Sequence, residues 1–247
     1  MKIEMRRQQE QRRTVSEVSA IRVRQPKVGC RKLQRMLKAQ GIRIGRDRLF
    51  TVLRDKGMLI DKKNRYVRTT KSNHRFRTYN NLIKQLQPHR AEEVFASDIT
   101  YIDTMEGYSY LSLITDQYSR KIVGYSLSKN LSAEDTLKAL KMALRQVKDS
   151  SGLIHHSDRG IQYCSKCYTG FLKRNAVKIS MTEENHVYEN ALAERVNGIL
   201  KDEFMLGERL QSHKIAEKMV NEAVYIYNNE RLHLALGYMT PEQKYAA

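Results

Sequence analysis

Apolar positions along the chain follow two rhythms, and the change falls near residue 94. Up to residue 60 they recur at helical spacing in a polar background. "SEVSAIRVRQ" predicts a helix that stops before Pro26, because the residue ahead of a proline is pushed out of the helical region. "CRKLQRMLKAQG" sets Leu33, Met36 and Leu37 on one face and stops at Gly41. After a short turn, "IRIG", the stretch "RDRLFTVLRDKG" sets Leu49, Val52 and Leu53 on one face and again stops at a glycine. Helix, short turn, helix, with Arg46 and Arg48 opening the last helix, fits a helix-turn-helix whose arginines enter a major groove. A plain helical hairpin with solvated arginines fits the same pattern. From 61 to 93 the apolar signal thins, and "DKKNRYVRTTKSNHRFRTYNN" reads as a linker able to lie along DNA, its tyrosines and Phe76 offering stacking or packing surfaces.

From Val94 the pattern turns β-rich. "VFASDITYIDT", a turn at "EG", "YSYLSLITD" and "KIVGYSL" predict three strands in a meander. "SAEDTLKALKMALRQVK" predicts an amphipathic helix capped by Ser132. "GLIHHS" and "VKISM" predict two more strands, with a helix over "YTGFLKRN" between them. "NALAERVNGILKDEF" and "HKIAEKMVNEAVYIYNNERL" predict the last two helices. A meander followed by strands alternating with helices makes an α/β domain with a mixed five-stranded sheet. The organisation is a basic all-α domain over 1–60, a basic linker over 61–93, and an α/β domain with a C-terminal helical extension over 94–247.

Charge separates the same regions. Residues 1–90 hold 26 Lys and Arg against 6 Asp and Glu, a net of +20, while the remainder nets −2. A positive field confined to one region is what a polyanion-binding arm needs, and charge alone leaves DNA and RNA equally open. No run of eighteen apolar residues suggests a membrane span, and the polar start "MKIEMRRQQEQRR" lacks the apolar segment of a secretory signal. Three scattered cysteines, Cys30, Cys164 and Cys167, suit a reducing cytoplasm rather than a disulfide framework.

The densest cluster of reactive side chains is "HHSDRGIQYCSKC", residues 155–167. It invites a zinc reading, yet adjacent strand residues such as His155 and His156 point to opposite faces and cannot share one metal with Cys164 and Cys167. Alternation leaves one histidine for the core and the other for the site side. The acids are more informative. Asp98 sits inside an apolar strand, where a carboxylate is costly without a cation or hydrogen-bond partners. Asp158 follows the fourth strand, and Glu194 lies on the helix "NALAERVNG". Three oxygen ligands converging at the end of a sheet make a hard-cation site. Asp103, Glu106 and Asp116 compete for the same role.

"SDITYI", "DQYSRKIVGYSLS", "HHSDRGIQY", "YENALAERVNGILKDEF" and "YNNERLHLALGYMTPEQ" together resemble the DDE transposases and retroviral integrases, most closely the second-frame transposase of IS-three-family insertion sequences. Thirty-five residues lie between Asp158 and Glu194, the spacing of that family's D-D-35-E signature. A weaker likeness over 15–60 ("KVGCRKLQRML", "GIRIGRDRL") matches its helix-turn-helix module. The resemblance implies an RNase H-like core, a catalytic and metal-binding triad of Asp98, Asp158 and Glu194, and two Mg²⁺ ions, with Mn²⁺ as a substitute. It implies DNA strand cleavage and joining at transposon ends and in target DNA, by a protein that works as a homo-oligomer on DNA in the cytoplasm, at the nucleoid. Lys201 occupies the place of the family's DNA-contacting basic residue, two turns beyond Glu194. A first-frame protein is an expected partner, since the active form in this family is commonly a frameshifted fusion; beside the leading reading as a catalytic transposase, the alternative is an unfused, non-catalytic DNA-binding or regulatory product. Another RNase H-like nuclease, such as a junction resolvase, is the third reading. The loop "MTEENHVYEN" departs from the family's glycine- and arginine-bearing version. Arg231 and His233 near the C-terminus either touch DNA or anchor the last helix.

Overall fold

The computed structural model describes residues 2–60, 76–183 and 190–247, so the linker's first part (61–75) and most of the loop before the Glu194 helix (184–189) lie outside the described residues. The chain divides into two compact units, one formed by the N-terminal helices and one by the sheet and its helices.

The N-terminal unit is built from α1 (Lys2–Arg24), α2 (Cys30–Ala39) and α3 (Arg46–Asp55). Its core is Val18, Ile21, Val28, Leu33, Leu37, Leu49 and Leu53, the helical-spacing residues of the sequence. Gly41 and Gly57 adopt positive φ and close α2 and α3. There the N–H of Ile42 donates to the Leu37 carbonyl (2.8 Å) and that of Met58 to the Leu53 carbonyl (2.7 Å). The Gln34 amide donates to the Ile44 carbonyl at 3.0 Å, pinning the turn between the two helices. One expectation falls short. α1 runs back to Lys2, well before "SEVSAIRVRQ", because residues 2–13 hold strong helix formers and neither Gly nor Pro, so propensity extends the helix without apolar periodicity.

The second unit is a mixed sheet in the order β3-β2-β1-β4-β5, from β1 (Val94–Thr104), β2 (Gly107–Asp116), β3 (Ile122–Ser128), β4 (Ile154–Ser157) and β5 (Lys178–Met181). β1, β2 and β3 are antiparallel neighbours; β4 and β5 run parallel to β1. Helices α4 (Ala133–Leu144), α5 (Ile161–Cys164), α6 (Lys166–Arg174), α7 (Ala191–Glu203), α8 (His213–Asn229) and α9 (Pro241–Tyr245) flank it. The α5 turn is an addition to the sequence expectation, and Ser165 caps α6 directly after it. The core under α4 and α6 joins Phe95, Ile114, Val123, Leu140, Tyr168 and Leu172. Gly124 permits the closest approach: a Cβ there would strike the Ala139 carbonyl oxygen and come within 2.9 Å of the Ala143 methyl. Edge strand β3 is held by Asn228 of α8, whose side-chain amide accepts from the N–H of Ile122 and donates to its carbonyl, both at 2.9 Å. Residues 79–84, within the stretch read as linker, lie along β5. Asn80 accepts from the N–H of Met181 (3.4 Å), the N–H of Leu82 donates to Ser180 Oγ (2.9 Å), and Tyr79 packs on the core. No described helix is long and apolar enough to cross a membrane.

Candidate active site

The parallel register explains how two distant aspartates meet. Val94, Phe95 and Ala96 pair with Ile154, His155 and His156, each sixty positions on, and the same sixty separate Asp98 from Asp158. Asp158 therefore follows β4 level with Asp98. β4 stops at Ser157, so Asp98 sits where β1 outruns its parallel neighbour. Beyond that gap Leu210 takes up the edge, exchanging backbone hydrogen bonds with Asp103 and Met105 at 2.9 Å. Within the gap side chains complete the ladder. The Asn190 amide donates to the Ser97 carbonyl (2.9 Å), and the Asp98 carboxylate accepts from the N–H of Ile99 (2.9 Å).

α7 brings the third acid. Asn190, Glu194, Asn197 and Lys201 recur at spacings of four, three and four, one helical face. Asn197 Nδ2 donates to Asp98 Oδ2 at 2.7 Å, so α7 is tied to β1 on either side of Glu194. Glu194 is exposed and Asp98 half-buried. Burial, then the charge of Asp158, pushes the Asp98 carboxyl up to about 7 against the pull of its hydrogen bonds to Asn197 and Ile99, and Glu194 raises it slightly further. Asp158 Oδ1 accepts from the N–H of Gly160 at 2.9 Å, which holds the turn after β4. The register thus sets Asp158 near Asp98 despite their mutual repulsion, with Glu194 close enough to add to it. Among the described residues no three His, Cys, Asp or Glu side chains close into a cage around an ion. The donor chemistry nonetheless fits a hard dication: carboxylate oxygens only, crowded enough that Asp98 holds a proton near neutrality.

The competing acids have structural duties. Buried Asp116 accepts from the N–H and Oγ of Ser119 and from the N–H of Glu92, fixing the β2–β3 turn. Asp103 stands 3.9 Å from Arg209, and Glu106 pairs with Lys129 at 3.5 Å.

The zinc-like cluster also resolves into packing. His155 and His156 do face opposite ways, but both are buried, so neither lines the site as alternation alone suggested. β4 lies between β1 and β5 with both faces covered, and alternation there selects between two interiors. His155 Nε2 lies 2.7 Å from Ser97 Oγ and 2.9 Å from Tyr168 Oη; His156 Nδ1 lies 2.9 Å from Ser180 Oγ. Burial, with some help from His156, lowers His155 to about 3, so it is neutral. The buried Cys164 thiol, 3.7 Å from Met181 Sδ, is pushed up to about 11 by burial and then by Asp158, so it packs as a neutral thiol. Arg231 and His233 are buried, 2.8 Å apart, and pack on Tyr227, so they anchor the end of α8.

The remaining expected contacts are accessible. Arg46 and Arg48 open α3 with side chains more than half exposed, lightly paired with Asp47 (2.9 Å) and Glu10 (3.4 Å). Lys201 Nζ lies over the Tyr101 ring, 4.2 Å from its centroid. Asn197 is the residue that sequence reasoning passed over. The signal was present, since it falls on the face shared by Glu194 and Lys201, three residues after the acid.

A mixed sheet in the order β3-β2-β1-β4-β5, flanked by helices, is the fold of an integrase core. Residues 88–186 match a family model described as Integrase core domain, and residues 175–241 match a second of the same description. The fold agrees: the HTLV-2 integrase catalytic core domain in complex with magnesium superposes with a TM-score of 0.51 at 18% identity, over 64% of this chain and 99% of that one. A chain of the simian T-cell lymphotropic virus intasome in complex with PP2A regulatory subunit B56 gamma gives a TM-score of 0.56 at 16% identity, over 87% of this chain and 70% of that one. Sequence relatives are closer. An uncharacterized 31 kDa protein of insertion element IS600 from Shigella sonnei is 38% identical over 91% of this chain and 83% of its own. The transposase for IS629 from Shigella sonnei is 34% identical over 87% and 72%, and transposase InsF for IS3A from Escherichia coli (strain K12) 33% over 87% and 75%. The chain belongs to the IS3-family insertion-sequence transposases.

Proposed function

We propose that this chain cleaves and joins DNA strands at the ends of an insertion sequence, with Asp98, Asp158 and Glu194 as the metal-holding triad. The observation that carries the reading is the Asp98 carboxyl, pushed up to about 7 beside Asp158 and pinned by Asn197 on the helix that bears Glu194. Such crowding is unfavourable in an empty site and is what a dication relieves. Two Mg²⁺ ions, or Mn²⁺, would supply a polarised water or 3′-hydroxyl and offset charge on the departing oxygen. Asp98, Asp158 and Glu194 would together hold the ions through their carboxylate oxygens. Asn197 and the N–H of Ile99 hold the Asp98 carboxylate in place, and the Gly160 N–H does the same for Asp158. Lys201 would meet a phosphate at the reacting end. Arg46 and Arg48, on the basic 1–60 region, would read or grip the end sequence. The assembly that acts would hold several copies on DNA, with the first-frame protein as a further partner.

The test is strand transfer by the full chain on the element's own ends, with and without Mg²⁺. Asp158→Asn and Glu194→Gln are expected to abolish joining while end binding persists. Joining by Glu194→Gln would sink the triad, and cleavage of branched DNA without joining would indicate a nuclease of another kind.

A further inference from the structure

Two half-buried aromatic rings of the sheet unit each carry a pair of cations. Tyr79, in the segment along β5, has the Arg77 guanidinium 5.4 Å and the Lys173 ammonium 5.5 Å from its centroid. Phe171 of α6 has Lys141 of α4 at 5.9 Å and Arg174 at 6.0 Å. Both rings pack against the core under α4 and α6, and all four cations are exposed. Elsewhere on this unit exposed lysines meet carboxylates, Lys138 with Asp135 at 2.7 Å and Lys129 with Glu106 at 3.5 Å. Here there is none to meet. Residues 76–91, α6, and α4 beyond Asp135 contain no acid, and among the described residues none of the four cations makes an ion pair. A helix dipole favours Lys141, Lys173 and Arg174 near the C-terminal ends of α4 and α6, but Arg77 lies on no helix. A ring attracts a cation without neutralising it, so the positive charge is held in place and kept.

The topology sets this surface apart from the acids. α6 crosses between the parallel strands β4 and β5, so it runs back from the Asp158 end. Its far end is tied to the entry of β4: Ser150 Oγ donates to the Asn175 carbonyl at 2.5 Å, and the N–H of Lys178 to the Leu153 carbonyl at 2.9 Å. Lys173 and Arg174 thus stand roughly 13 Å along the helix from its cap at Ser165. A phosphate bound there belongs to DNA away from the reacting bond.

We propose that Arg77, Lys141, Lys173 and Arg174, held by the Tyr79 and Phe171 rings, form a further DNA-backbone surface that grips duplex away from the bond that reacts. Phosphate contacts carry no base information, so the grip is independent of sequence. This rests on the reading above that the chain works on DNA.

The experiment is fluorescence anisotropy with the full chain, on the element's own end duplex and on an unrelated duplex of equal length, across a salt series. Lys173→Ala with Arg174→Ala should lower the salt slope by about two on both duplexes. The parent's advantage then shrinks about tenfold between about 50 and 200 mM salt, while joining at saturating DNA is kept. Phe171→Leu keeps an apolar side chain without the ring face and should weaken binding about two- to fivefold on both. An equal fall in slope from Lys129→Ala with Lys138→Ala, which removes the same charge from ion-paired sites, would overturn the proposal. So would a loss confined to the element's end, or Phe171→Leu binding like the parent. A DNA-free oligomer that comes apart in the Lys173→Ala, Arg174→Ala chain would also overturn it, making the surface a contact between copies. If the parent joins ends and the slopes coincide, this inference alone falls. If the slopes differ as expected but the parent joins nothing, the strand-transfer reading falls and the surface stands.

Discussion

Asp98 carries an electrostatic burden that the folded chain sheds by keeping a proton, and that a bound cation, as proposed, would also relieve. Its folded value of about 7 lies above the ordinary 3.8, so the native state holds a proton that the unfolded chain releases. The associated stability is fully present below about pH 4 and is lost as pH rises through 7. Asp98→Asn should therefore raise the metal-free unfolding free energy at pH 8 by on the order of 2 kcal/mol after allowance for partial exposure, and much less at pH 5. A gain independent of pH in thermal unfolding would contradict this. On the proposed function Mg²⁺ would displace the same proton, so metal affinity, read by titration calorimetry, is expected to rise from pH 6 to 8. Asn197→Ala removes the amide at 2.7 Å and should cost joining about 10- to 100-fold with end binding kept; a filter-binding assay beside a joining assay separates the two.

At the scale of elements, two contacts decide whether the sheet and its helices stay in register. Gly124→Ala places a methyl against the Ala139 carbonyl of α4, where backbone must yield, and should destabilise by about 1–3 kcal/mol in chemical denaturation. Asn228→Ala strips both backbone partners from Ile122 and should cost on the order of 2 kcal/mol. The strands and most helices were legible in the sequence because alternation and helical spacing report burial directly. β1, β2 and β3 lie where alternation put them, and Leu49, Val52 and Leu53 form the buried face of α3. Less legible was whatever depends on which neighbour covers a face. His155 and His156 alternate as expected, yet both meet protein. Asn197 gave no cue by residue type, since an amide declares its role only through its partner. Asp98, Asp158 and Glu194 were candidates in the sequence through the family resemblance, whereas the duties of Asp103, Glu106 and Asp116 emerged only from their partners.

For the molecule as a whole, the basic excess before residue 90 predicts a strong salt dependence of DNA binding. Arg46→Ala with Arg48→Ala should lower that slope by about two and weaken end recognition, with joining at saturating DNA unchanged. A slope that does not move would remove these arginines from the interface. The sixty-residue pairing of β1 with β4 has a consequence for lineage. What levels Asp158 with Asp98 is a ladder of backbone hydrogen bonds, and what fixes Glu194 is a pair of asparagines. Neither counts the residues in between. The segment between Leu144 and Ile154 could gain or shed a few amino acids, or be opened to make new termini, while the three acids kept their places. The sixty-residue interval between the two aspartates is then free to drift, and cousins that differ in it should still be found by strand order.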